Sequence, residues 1–523
     1  MAATVAIYVG AIGAFLYMFL RVILYSTQDA REPPAIETGL PFIGPLVGMI
    51  KEKSRFHFRL RNQYRLPIYT LRMPFQRMYI VNSPSLIPEL QKQWRAVSFA
   101  AIAADAGSVV GMSKEAVRIM HQDLMSEHGF SVSWPRFIAP SMAPGDDLDK
   151  ISRTSVEVLS AELDSLRAQG HPIKVGLWGW SRKLMEAATT EAVWGPQNPY
   201  RDSAIAEAWR TFEKGFLSFS MFPFATTLFP KLYQARELVA AAMMEYVRNR
   251  GFETASGLVR KRYEHHNKLF GLQPDDIARG ELGNTFAVLG NTAPCAWWVL
   301  FHIFSDAHVL SEVRRELLGA VREDESSFHV DIATLRDSCP ILLSTFQETM
   351  RYRAVNPGPR VILDDVVLND GTLLKKGSML MIPATVHHTD TTAWGEDAGK
   401  FDYLRFSRKP TSTGQKKLNR VAFRAFGGGH ILCPGRHFAT NEIMALAALV
   451  VLQFDVVPIG GKWTEPTFEN SPPQSGFPVP DEDIQVELRP RDQKKRWAVT
   501  FSGADKAIGF VSEDALATDG SPH

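Results

Sequence analysis

The stretch FRAFGGGHILCPGRHFA, residues 423–439, combines a glycine-rich turn, one cysteine and the start of an apolar helix. Its three consecutive glycines, residues 427–429, lack a Cβ, so the backbone is free to adopt positive φ angles and to approach a flat ligand. Pro434 suits the first turn of a helix, where its missing N–H costs nothing. An apolar face at helical spacing follows, formed by Ala439, Ile443, Ala445 and Leu446. Cys433 therefore precedes a helix N-terminus, which lowers the pKa of a thiol and favours the metal-binding thiolate.

The residues of this stretch keep a spacing that fixes several positions at once. The pattern Phe-x-x-Gly-x-x-x-Cys-x-Gly is formed by Phe426, Gly429, Cys433 and Gly435, followed by Arg436 and Ala439. It resembles the haem-binding loop of the cytochrome P450 family. A buried free cysteine beside a turn is the alternative, and for a lone cysteine it would be preferred. The resemblance implies that Cys433 is the axial ligand of haem b, with the other three residues of the pattern around the cofactor.

The length and composition of the chain are those of a large globular protein. Of its 523 residues, 45% are hydrophobic and 22% are charged, which allows a sizeable core. Length alone predicts two or three domains, whereas the resemblance implies one catalytic domain, residues 47–496, of mainly α fold with a smaller β region. The net charge of +2 gives no indication of a nucleic-acid partner. Three cysteines are too few for a disulfide framework, so we expect the catalytic domain to face a reducing compartment.

The N-terminal segment, residues 1–26, has the composition of a membrane anchor. Residues 2–20 carry no charge and are mostly apolar, and about 20 such residues span a bilayer. A cleaved signal peptide is the alternative, but no basic segment precedes the apolar run and no clear cleavage site follows it. Arg21 and Arg31 lie on its C-terminal side, which favours a cytosolic catalytic domain. The sequence thus predicts a single-pass anchor helix, and the resemblance implies the endoplasmic reticulum membrane.

Two further segments flank the catalytic domain. Residues 32–46 contain four prolines, which stiffen and extend a chain, so residues 27–46 are predicted to be a linker. The tail, residues 497–523, shows no pattern and is typical of a disordered segment. Within the domain, residues 66–83 alternate as in a β-hairpin, and residues 357–383 alternate with Asn369-Asp370-Gly371 as a hairpin turn. Residues 96–125 are rich in Ala, Gly and Ser and are predicted to be an irregular loop, which in the resembled family covers the substrate.

A long apolar helix is predicted over residues 281–305, with Pro294 inside it. Proline removes the N–H that would bond the carbonyl of Gly290, and it kinks the helix there. The kink leaves Asn291 and Thr292 as polar side chains in an apolar helix, and buried polar groups need partners. Neighbouring backbone is one candidate partner, and water, dioxygen or substrate is the other. The resemblance favours the second and makes Asn291 and Thr292 the catalytic residues of the distal side.

Glu348 and Arg351 lie three residues apart, on one face of a predicted helix. Such pairs are common on solvated surfaces, but this pair resembles the Glu-x-x-Arg motif of the family at the expected distance before the cysteine. The family usually continues with Pro-Glu-Arg-Phe, where this chain has Tyr-Leu-Arg-Phe. The arginine of that motif is kept as Arg405. By the resemblance, Arg405 closes a buried structural network with Glu348 and Arg351.

Further pocket residues follow from the resemblance alone. Arg360 stands where the family has an arginine that bonds a haem propionate, as a charge-assisted hydrogen bond would allow. The position two before the cysteine is usually basic; here it is Ile431, so His430 is considered as the substitute. The substrate pocket is expected to contain Phe286, Gly290 and Phe477. The family's Trp-x-x-x-Arg helix, which holds a propionate, is not found cleanly in residues 120–140, so no residue there is assigned.

Two clusters of side chains indicate partners. A basic cluster around the cysteine loop consists of Lys416, Lys417, Arg420, Arg424 and Arg436. It is either a solvated face or a docking site for the acidic NADPH-cytochrome P450 reductase that the resemblance implies as electron donor. A phenylalanine-rich stretch, residues 212–229, is either part of the core or the roof of an access channel that dips into the membrane.

The sequence Asn-Thr-x-Pro at residues 291–294 is similar to the family branch of sterol 7α-hydroxylases and prostacyclin synthase. The whole chain resembles fungal tailoring enzymes. The favoured function is therefore a monooxygenase that acts on an apolar, terpenoid or steroid-like secondary metabolite. The acidic residue that usually precedes the threonine is absent, so an isomerase or dehydratase that works without reductase is the alternative. A non-catalytic haem-binding protein is the third hypothesis.

Overall fold

The structure is a computed structural model that describes residues 2–222, 224–407, 419–472, 474–491 and 495–501. Helices predominate in this part of the chain, and its strands form small sheets, which confirms the predicted fold class. The helices are α1 Ala2–Ser26, α2 Gly44–Glu52, α3 Ser54–Tyr64, α4 Ile87–Lys92, α5 Ala100–Val109, α6 Lys114–His121, α7 Phe130–Ile138, α8 Asp146–Arg167, α9 Leu177–Trp194, α10 Ser203–Met221, α11 Ala225–Leu228, α12 Pro230–Arg248, α13 Gly257–Tyr263, α14 Pro274–Leu289, α15 Thr292–Phe304, α16 Ala307–Ala320, α17 Ile332–Ser338, α18 Pro340–Arg353, α19 Ala384–His387, α20 Thr391–Trp394 and α21 Arg436–Gln453. The strands are β1 Ile68–Met73, β2 Gln76–Val81, β3 Val97–Ser98, β4 Ile173–Gly176, β5 Arg322–Glu323, β6 Ser327–Asp331, β7 Pro359–Ile362, β8 Val366–Val367, β9 Leu373–Leu374, β10 Met379–Met381, β11 Phe454–Pro458, β12 Gln485–Pro490 and β13 Arg496–Thr500.

The chain divides into two compact units, and the first carries the larger sheet. Its segments are Met1–Ile102, Val355–Ala398 and Leu418–Leu432. The sheet has the strand order β1-β2-β10-β7-β3, with β10 parallel to β2 and antiparallel to β7. Apolar side chains of these strands are buried together on its inner positions, among them Tyr79 and Leu380. The sheet thereby fixes strand β7, which carries Arg360.

The second unit is helical and carries the cysteine. Its segments are Ala103–Ala354, Gly399–Lys417 and Cys433–His523. Helix α21 packs against α8 and α15, and α15 also packs against α9 and α18. Because helices surround α21, almost every one of its residues is buried, rather than one apolar face as the spacing predicts. A helix that is apolar all round belongs in a core, and this one begins three residues after Cys433.

Two predicted hairpins are confirmed. Strands β1 and β2 pair antiparallel, with Ile68 opposite Val81 and Met73 opposite Gln76. Strands β8 and β9 also pair antiparallel, and the N–H of Gly371 donates to the carbonyl of Leu368 within the Asn-Asp-Gly turn between them. Both hairpins depend on alternation and turn residues, which are local signals.

The prediction of an irregular loop over residues 96–125 is wrong. Helices α5 and α6 occupy most of it. Alanine is the strongest helix former, and the first of the two helices is alanine-rich. Ser113 starts the second one as an N-cap, because its hydroxyl accepts the N–H of Ala116 at 3.1 Å. The small residues of this segment therefore favour helix and not loop.

Helix α1 lies at the N-terminal end of the described chain, and strand β13 lies at its C-terminal end. Helix α1 contains the segment Ile7–Ser26, which is long and apolar enough to cross a membrane and is 6% buried. The segment Pro274–Phe304 passes the same test, but it is 67% buried and belongs to the core of the second unit. Strand β13 pairs in parallel with β6, so ordered structure extends into the first residues of the predicted tail. Residues 502–523 lie outside the described part of the chain.

Candidate active site

Cys433 is a partly buried thiol directly before helix α21. Burial raises its pKa above the ordinary value, while the N–H of Gly435 and the charge of Arg436 act in the opposite direction. The prediction of a lowered pKa is therefore wrong for the protein without a bound metal, because desolvation outweighs the helix N-terminus. Helix α21 begins at Arg436, so Pro434 precedes the helix instead of lying in its first turn. A bound metal cation would deprotonate the thiol outright.

The other two cysteines differ from Cys433 in their surroundings. Cys295 on α15 and Cys339 before α18 are fully buried. Burial raises the pKa of Cys339 to about 12 and raises that of Cys295 further. Both are thiols of the protein core, and structural cysteines of this kind are inert. Cys433 is the cysteine of this chain whose position fits a metal ligand.

The glycine turn before Cys433 belongs to the first unit. Gly427 and Gly429 have φ angles of 77° and 64°, which confirms the predicted positive φ. A Cβ on Gly429 would stand 3.0 Å from the side chain of Gln91, so that side chain would have to shift, and the φ of 64° would strain any larger residue. The ring of His430 stacks on Trp94 with the ring centres 4.1 Å apart. Phe426 is partly buried.

Arg360 is a buried guanidinium on strand β7. Its Nη1 donates to the carbonyl of Pro359 at 2.7 Å, and no carboxylate among the described residues pairs with it. Burial and the nearby charge of Arg424 lower the pKa of Arg360 to about 9. A buried cation that faces another cation is stabilised by an anion. This position therefore fits the propionate of a haem.

Trp134 on α7 was missed in the sequence. Its indole nitrogen is buried and has no hydrogen-bond partner among the described residues, and buried N–H groups require one. The side chain packs against the cluster that contains Phe438, five residues after Cys433. The sequence signal is a tryptophan two residues before Arg136, which does not match the Trp-x-x-x-Arg spacing sought there. An anionic cofactor group would satisfy this N–H.

Glu348, Arg351 and Arg405 form one buried ion network. Glu348 accepts both a 2.7 Å and a 2.6 Å hydrogen bond from Arg351, and a 3.2 Å bond from Nε of Arg405. The side chains of Glu348 and Arg351 are both 0% exposed. Arg351 also donates to the carbonyl of Lys400, and the N–H of Asp402 donates to Glu348. The network thus ties helix α18 to the segment 400–405.

The distal helix is broken at Gly290 and Asn291. Helix α14 ends at Leu289 and α15 begins at Thr292, so the predicted single helix is two helices that meet at the predicted kink. Thr292 donates to the carbonyl of Val288 at 3.2 Å, which is a bond to neighbouring backbone. The side-chain oxygen of Asn291 instead accepts the N–H of Gly476 at 2.8 Å. The amide group of Asn291 is thereby oriented with its NH₂ left to donate.

The predicted pocket residues lie in aromatic and backbone surroundings. Phe286 packs against Trp209 and Phe216 of α10, with ring centres 4.5 Å and 4.3 Å apart. Phe477 is buried, in the turn that contacts Asn291. The N–H of Gly290 donates to the carbonyl of Phe286 at 3.1 Å, and a Cβ on Gly290 would stand 2.7 Å from that oxygen, so a larger residue would have to shift this turn.

The basic cluster of the sequence is not one exposed face. Arg424 is 3% exposed, so its assignment to a solvated docking face is wrong. Arg436 is partly buried and donates to the carbonyl of Cys433 at 3.2 Å. Arg420 is exposed. Lys416 and Lys417 lie outside the described residues.

Comparison with known proteins gives the class of the fold and site. A family model described as Cytochrome P450 matches residues 204–488. Over 94% of this chain and 97% of the relative, the sequence is 31% identical to the cytochrome P450 monooxygenase nodJ of Hypoxylon pulicicidum. The fold is similar to that of the retinoic acid-bound cyanobacterial CYP120A1, with a TM-score of 0.68 and 19% identity over 88% of this chain and 99% of that one. The chain belongs to the cytochrome P450 family.

More distant relatives fit the branch that the Asn-Thr-x-Pro sequence indicates. Cytochrome P450 7B1 of Mus musculus is 23% identical over 82% of this chain and 85% of its own. Prostacyclin synthase of Rattus norvegicus is 26% identical over 44% of this chain and 48% of its own. As a member of this family the protein is an oxygen-incorporating oxidoreductase with thiolate-ligated haem as its cofactor, and proteins of this family generally take their electrons from a redox partner.

Proposed function

We propose that the protein is a haem-thiolate monooxygenase that inserts one oxygen atom of O₂ into an apolar terpenoid, steroid-like or other secondary metabolite. Its electrons come from NADPH through a membrane-bound cytochrome P450 reductase. The observation that carries the proposal is the 31% identity over almost the whole chain to a fungal enzyme named as a monooxygenase. The cysteine, its glycine turn and the broken distal helix support it.

The cofactor contacts are proposed residue by residue. Cys433 holds the iron, and a thiolate ligand supplies the electron density that favours O–O cleavage. In the first unit, Arg360 has a buried charge that pairs with no carboxylate of the described residues and that a propionate would neutralise. In the second unit, Trp134 offers the N–H without a partner. His430 keeps its proposed role as a further polar contact, since its ring is held by Trp94.

The substrate side is proposed at the break between α14 and α15. Phe286 and Phe477 provide apolar surface there, and Gly290 leaves room for a ligand. Asn291 projects an oriented amide into this region and is exposed. A mostly apolar site selects an apolar molecule, and the Asn291 amide is proposed to hold water for proton delivery rather than to bind the substrate.

An isomerase or dehydratase is the second candidate, and two observations favour it. The distal helix has Asn291 where an acid is usual, and part of the chain matches prostacyclin synthase. The experiment is an untargeted product screen of fungal metabolites with the membrane-bound protein, reductase and NADPH. New products that require NADPH support the monooxygenase. Conversion of a peroxide substrate without NADPH, and no NADPH-dependent product, would establish the second candidate instead.

The distal pair gives a prediction for this choice. Asn291→Ala combined with Thr292→Val should leave substrate binding near normal, while NADPH oxidation continues and releases hydrogen peroxide. Positioned proton transfer contributes about 10²–10⁴-fold, so product per NADPH should fall by at least about 100-fold. The measurement is the ratio of product to NADPH and to peroxide.

The chain contains a matched control for that variant. Asn284 and Thr285 follow a glycine just as Asn291 and Thr292 do, but they lie two turns earlier, inside α14. The double variant N284A/T285V changes the same chemical groups away from the break and should stay coupled, although loss of the buried Thr285–Tyr200 bond should lower its stability. If N291A/T292V stays fully coupled, proton delivery depends on the break in the helix and not on the side chains of Asn291 and Thr292.

The membrane contact is proposed to have two parts, in the endoplasmic reticulum membrane. One is helix α1, whose apolar segment is 6% buried. The other is the segment between α10 and α12. The phenylalanines of residues 212–229 include both buried core residues and exposed residues. Phe212 and Phe219 are core residues, whereas Phe222 and Phe224 are 53% and 81% exposed. Large exposed apolar groups in one segment mark a surface that meets another apolar phase.

The second contact is tested in a chain that lacks residues 1–28. This truncated protein should keep a reduced binding to microsomes, and Phe222→Ser with Phe224→Ser should remove it. Full burial of one phenylalanine is worth about 1.5–3 kcal/mol, so the bound fraction should fall at least about tenfold in sedimentation. Phe75→Ser is the control, because Phe75 is fully exposed at the β1–β2 turn. Equal loss in both variants would contradict a specific second contact.

A further inference from the structure

The break in the distal helix faces a carboxyl group that comes from another helix. Residues 286–300 contain no charged side chain. Glu213 lies on α10, and its Oε1 stands 3.6 Å from the point where a Cβ on Gly290 would be. Because Gly290 has no side chain, the carboxylate of Glu213 reaches the break directly.

Two hydrogen bonds hold this arrangement in place. Gln474 donates from Nε2 to the backbone carbonyl of Glu213 at 2.6 Å. Two residues further on, the N–H of Gly476 donates to the side chain of Asn291 at 2.8 Å. One short turn is thus bonded both to α10 and to the start of α15, and it fixes the distance between Glu213 and the break.

The two oxygens of the Glu213 carboxylate have different surroundings. Oε2 accepts a 2.7 Å bond from Arg182 of α9, and Arg182 is itself held by Glu186 at 2.6 Å. Oε1, the oxygen near Gly290, has no hydrogen-bond partner among the described residues. The side chain is 15% exposed, so it is largely shielded but not sealed from water. One oxygen is therefore anchored and the other is left for a proton.

The surroundings of Glu213 favour its protonated form compared with a glutamate on the surface. Burial raises the pKa of Glu213, and the nearby carboxylate of Glu186 raises it as well. Arg182 and Lys214 lower it, but the net direction is upward. Neither of the other two neighbouring segments adds a charge near Glu213: the turn presents the neutral Gln474, and residues 286–300 are uncharged. An acid tuned upward by burial is suited to proton transfer near neutral pH.

We propose that Glu213 is the acid of the distal side, in place of the one that the distal helix lacks. The role rests on the proposed monooxygenase function. In that reaction one substrate molecule, one O₂, two protons and two electrons from the reductase give one hydroxylated product and one water. Glu213 gives up its proton from Oε1 toward the break, directly or through water held by Asn291 and Thr292. The carboxylate then regains a proton from solvent while Arg182 keeps Oε2 in place.

The test compares Glu213→Gln with Glu207→Gln in the full-length holoenzyme, using the substrate that the product screen identifies. Glutamine still accepts a bond from Arg182, so the fold is kept. Glu207 is on the same helix and is paired with Arg210, but its side chain is 68% exposed. We expect E213Q to lose about 100-fold in product per NADPH with peroxide released, and E207Q to match the wild type. The variant E213D should recover part of the coupling.

Two further readouts separate proton transfer from a structural role. In the wild type, coupling should fall as pH rises through the pKa of Glu213, because the protonated form is lost; in E213Q this pH dependence should disappear. Infrared difference spectra of the substrate-free holoenzyme over the same pH range should show a protonated carboxyl band that E213Q lacks. That measurement does not depend on turnover.

The outcomes are distinguishable. A coupled E213Q, or a wild type without the infrared band, contradicts the role of Glu213. An uncoupled E213Q that also unfolds at lower temperature and is not improved by E213D would make Glu213 a structural partner of Arg182, which also overturns the proposal. A wild-type enzyme that makes no product with reductase overturns the proposed function itself, whatever the infrared spectra show.

Discussion

Replacing Cys433 with serine is expected to abolish the thiolate signature of the carbon monoxide complex and all monooxygenase turnover. Serine is close in size, so the fold should persist, but its hydroxyl does not ionise at the pH where a metal-bound thiol does. The shifted Soret band of the reduced carbonyl complex should be absent, and product formation should drop below detection. The measurement is the absorption spectrum of purified protein with dithionite and carbon monoxide.

The other cysteines make this prediction specific. Cys295→Ala and Cys339→Ala remove thiols that are fully buried in the same unit, so they control for loss of sulfur and for small core changes. Both variants should keep the band at its normal position. A normal band in C433S would remove Cys433 from the role of ligand, and loss of the band in either control would show that a small change in the core is enough to abolish it.

Replacing Glu348 with alanine is expected to prevent accumulation of haem-containing protein. The substitution removes the carboxylate that pairs with two buried guanidinium groups. These belong to Arg351 and Arg405, whose side chains are 0% and 5% exposed. Breaking a buried ion pair costs about 3–5 kcal/mol, which is a large part of a typical folding stability of about 5–15 kcal/mol. Haem content per polypeptide and expression level are the measurements.

Glu115 provides a control with the same local geometry. It pairs with Arg118 three residues later on α6, also through two hydrogen bonds, but the two side chains are 65% and 60% exposed. Exposed pairs contribute little, so E115A should express and bind haem normally. If E348A and E115A behave alike, burial is not what gives the Glu348 network its importance.

Local patterns in the sequence were enough for the cysteine loop, the two hairpins and the kinked distal helix. The glycine turn, the Asn-Asp-Gly turn and Pro294 each act on the backbone within a few residues, so their effect is readable without the fold. Glu348 and Arg351 share one helix face for the same reason. The tertiary partner of that pair, Arg405, came from the resemblance and not from spacing.

The features that the sequence did not reveal depend on contacts distant in the chain. The pKa of Cys433 is raised by burial, which no local pattern reports. Arg424 looks like a surface cation in the sequence but is buried beside Arg360. Glu213 is almost eighty residues before the break that it faces, and its distance from Gly290 is set by the packing of α10. Helices α5 and α6 were hidden by small residues that are common to loops and helices.

The bond between Gly476 and Asn291 has an evolutionary consequence. Its donor is a backbone N–H, so side chains elsewhere in the turn can change while the amide of Asn291 keeps its orientation. Position 476 itself is constrained, since a Cβ there would stand 2.6 Å from the oxygen of Asn291. Drift in the turn would therefore reshape the surface around a substrate without disturbing the distal helix. Substrate range can therefore change through substitutions in this turn, provided that Gly476 keeps its bond to Asn291 and Gln474 keeps its bond to the backbone of Glu213.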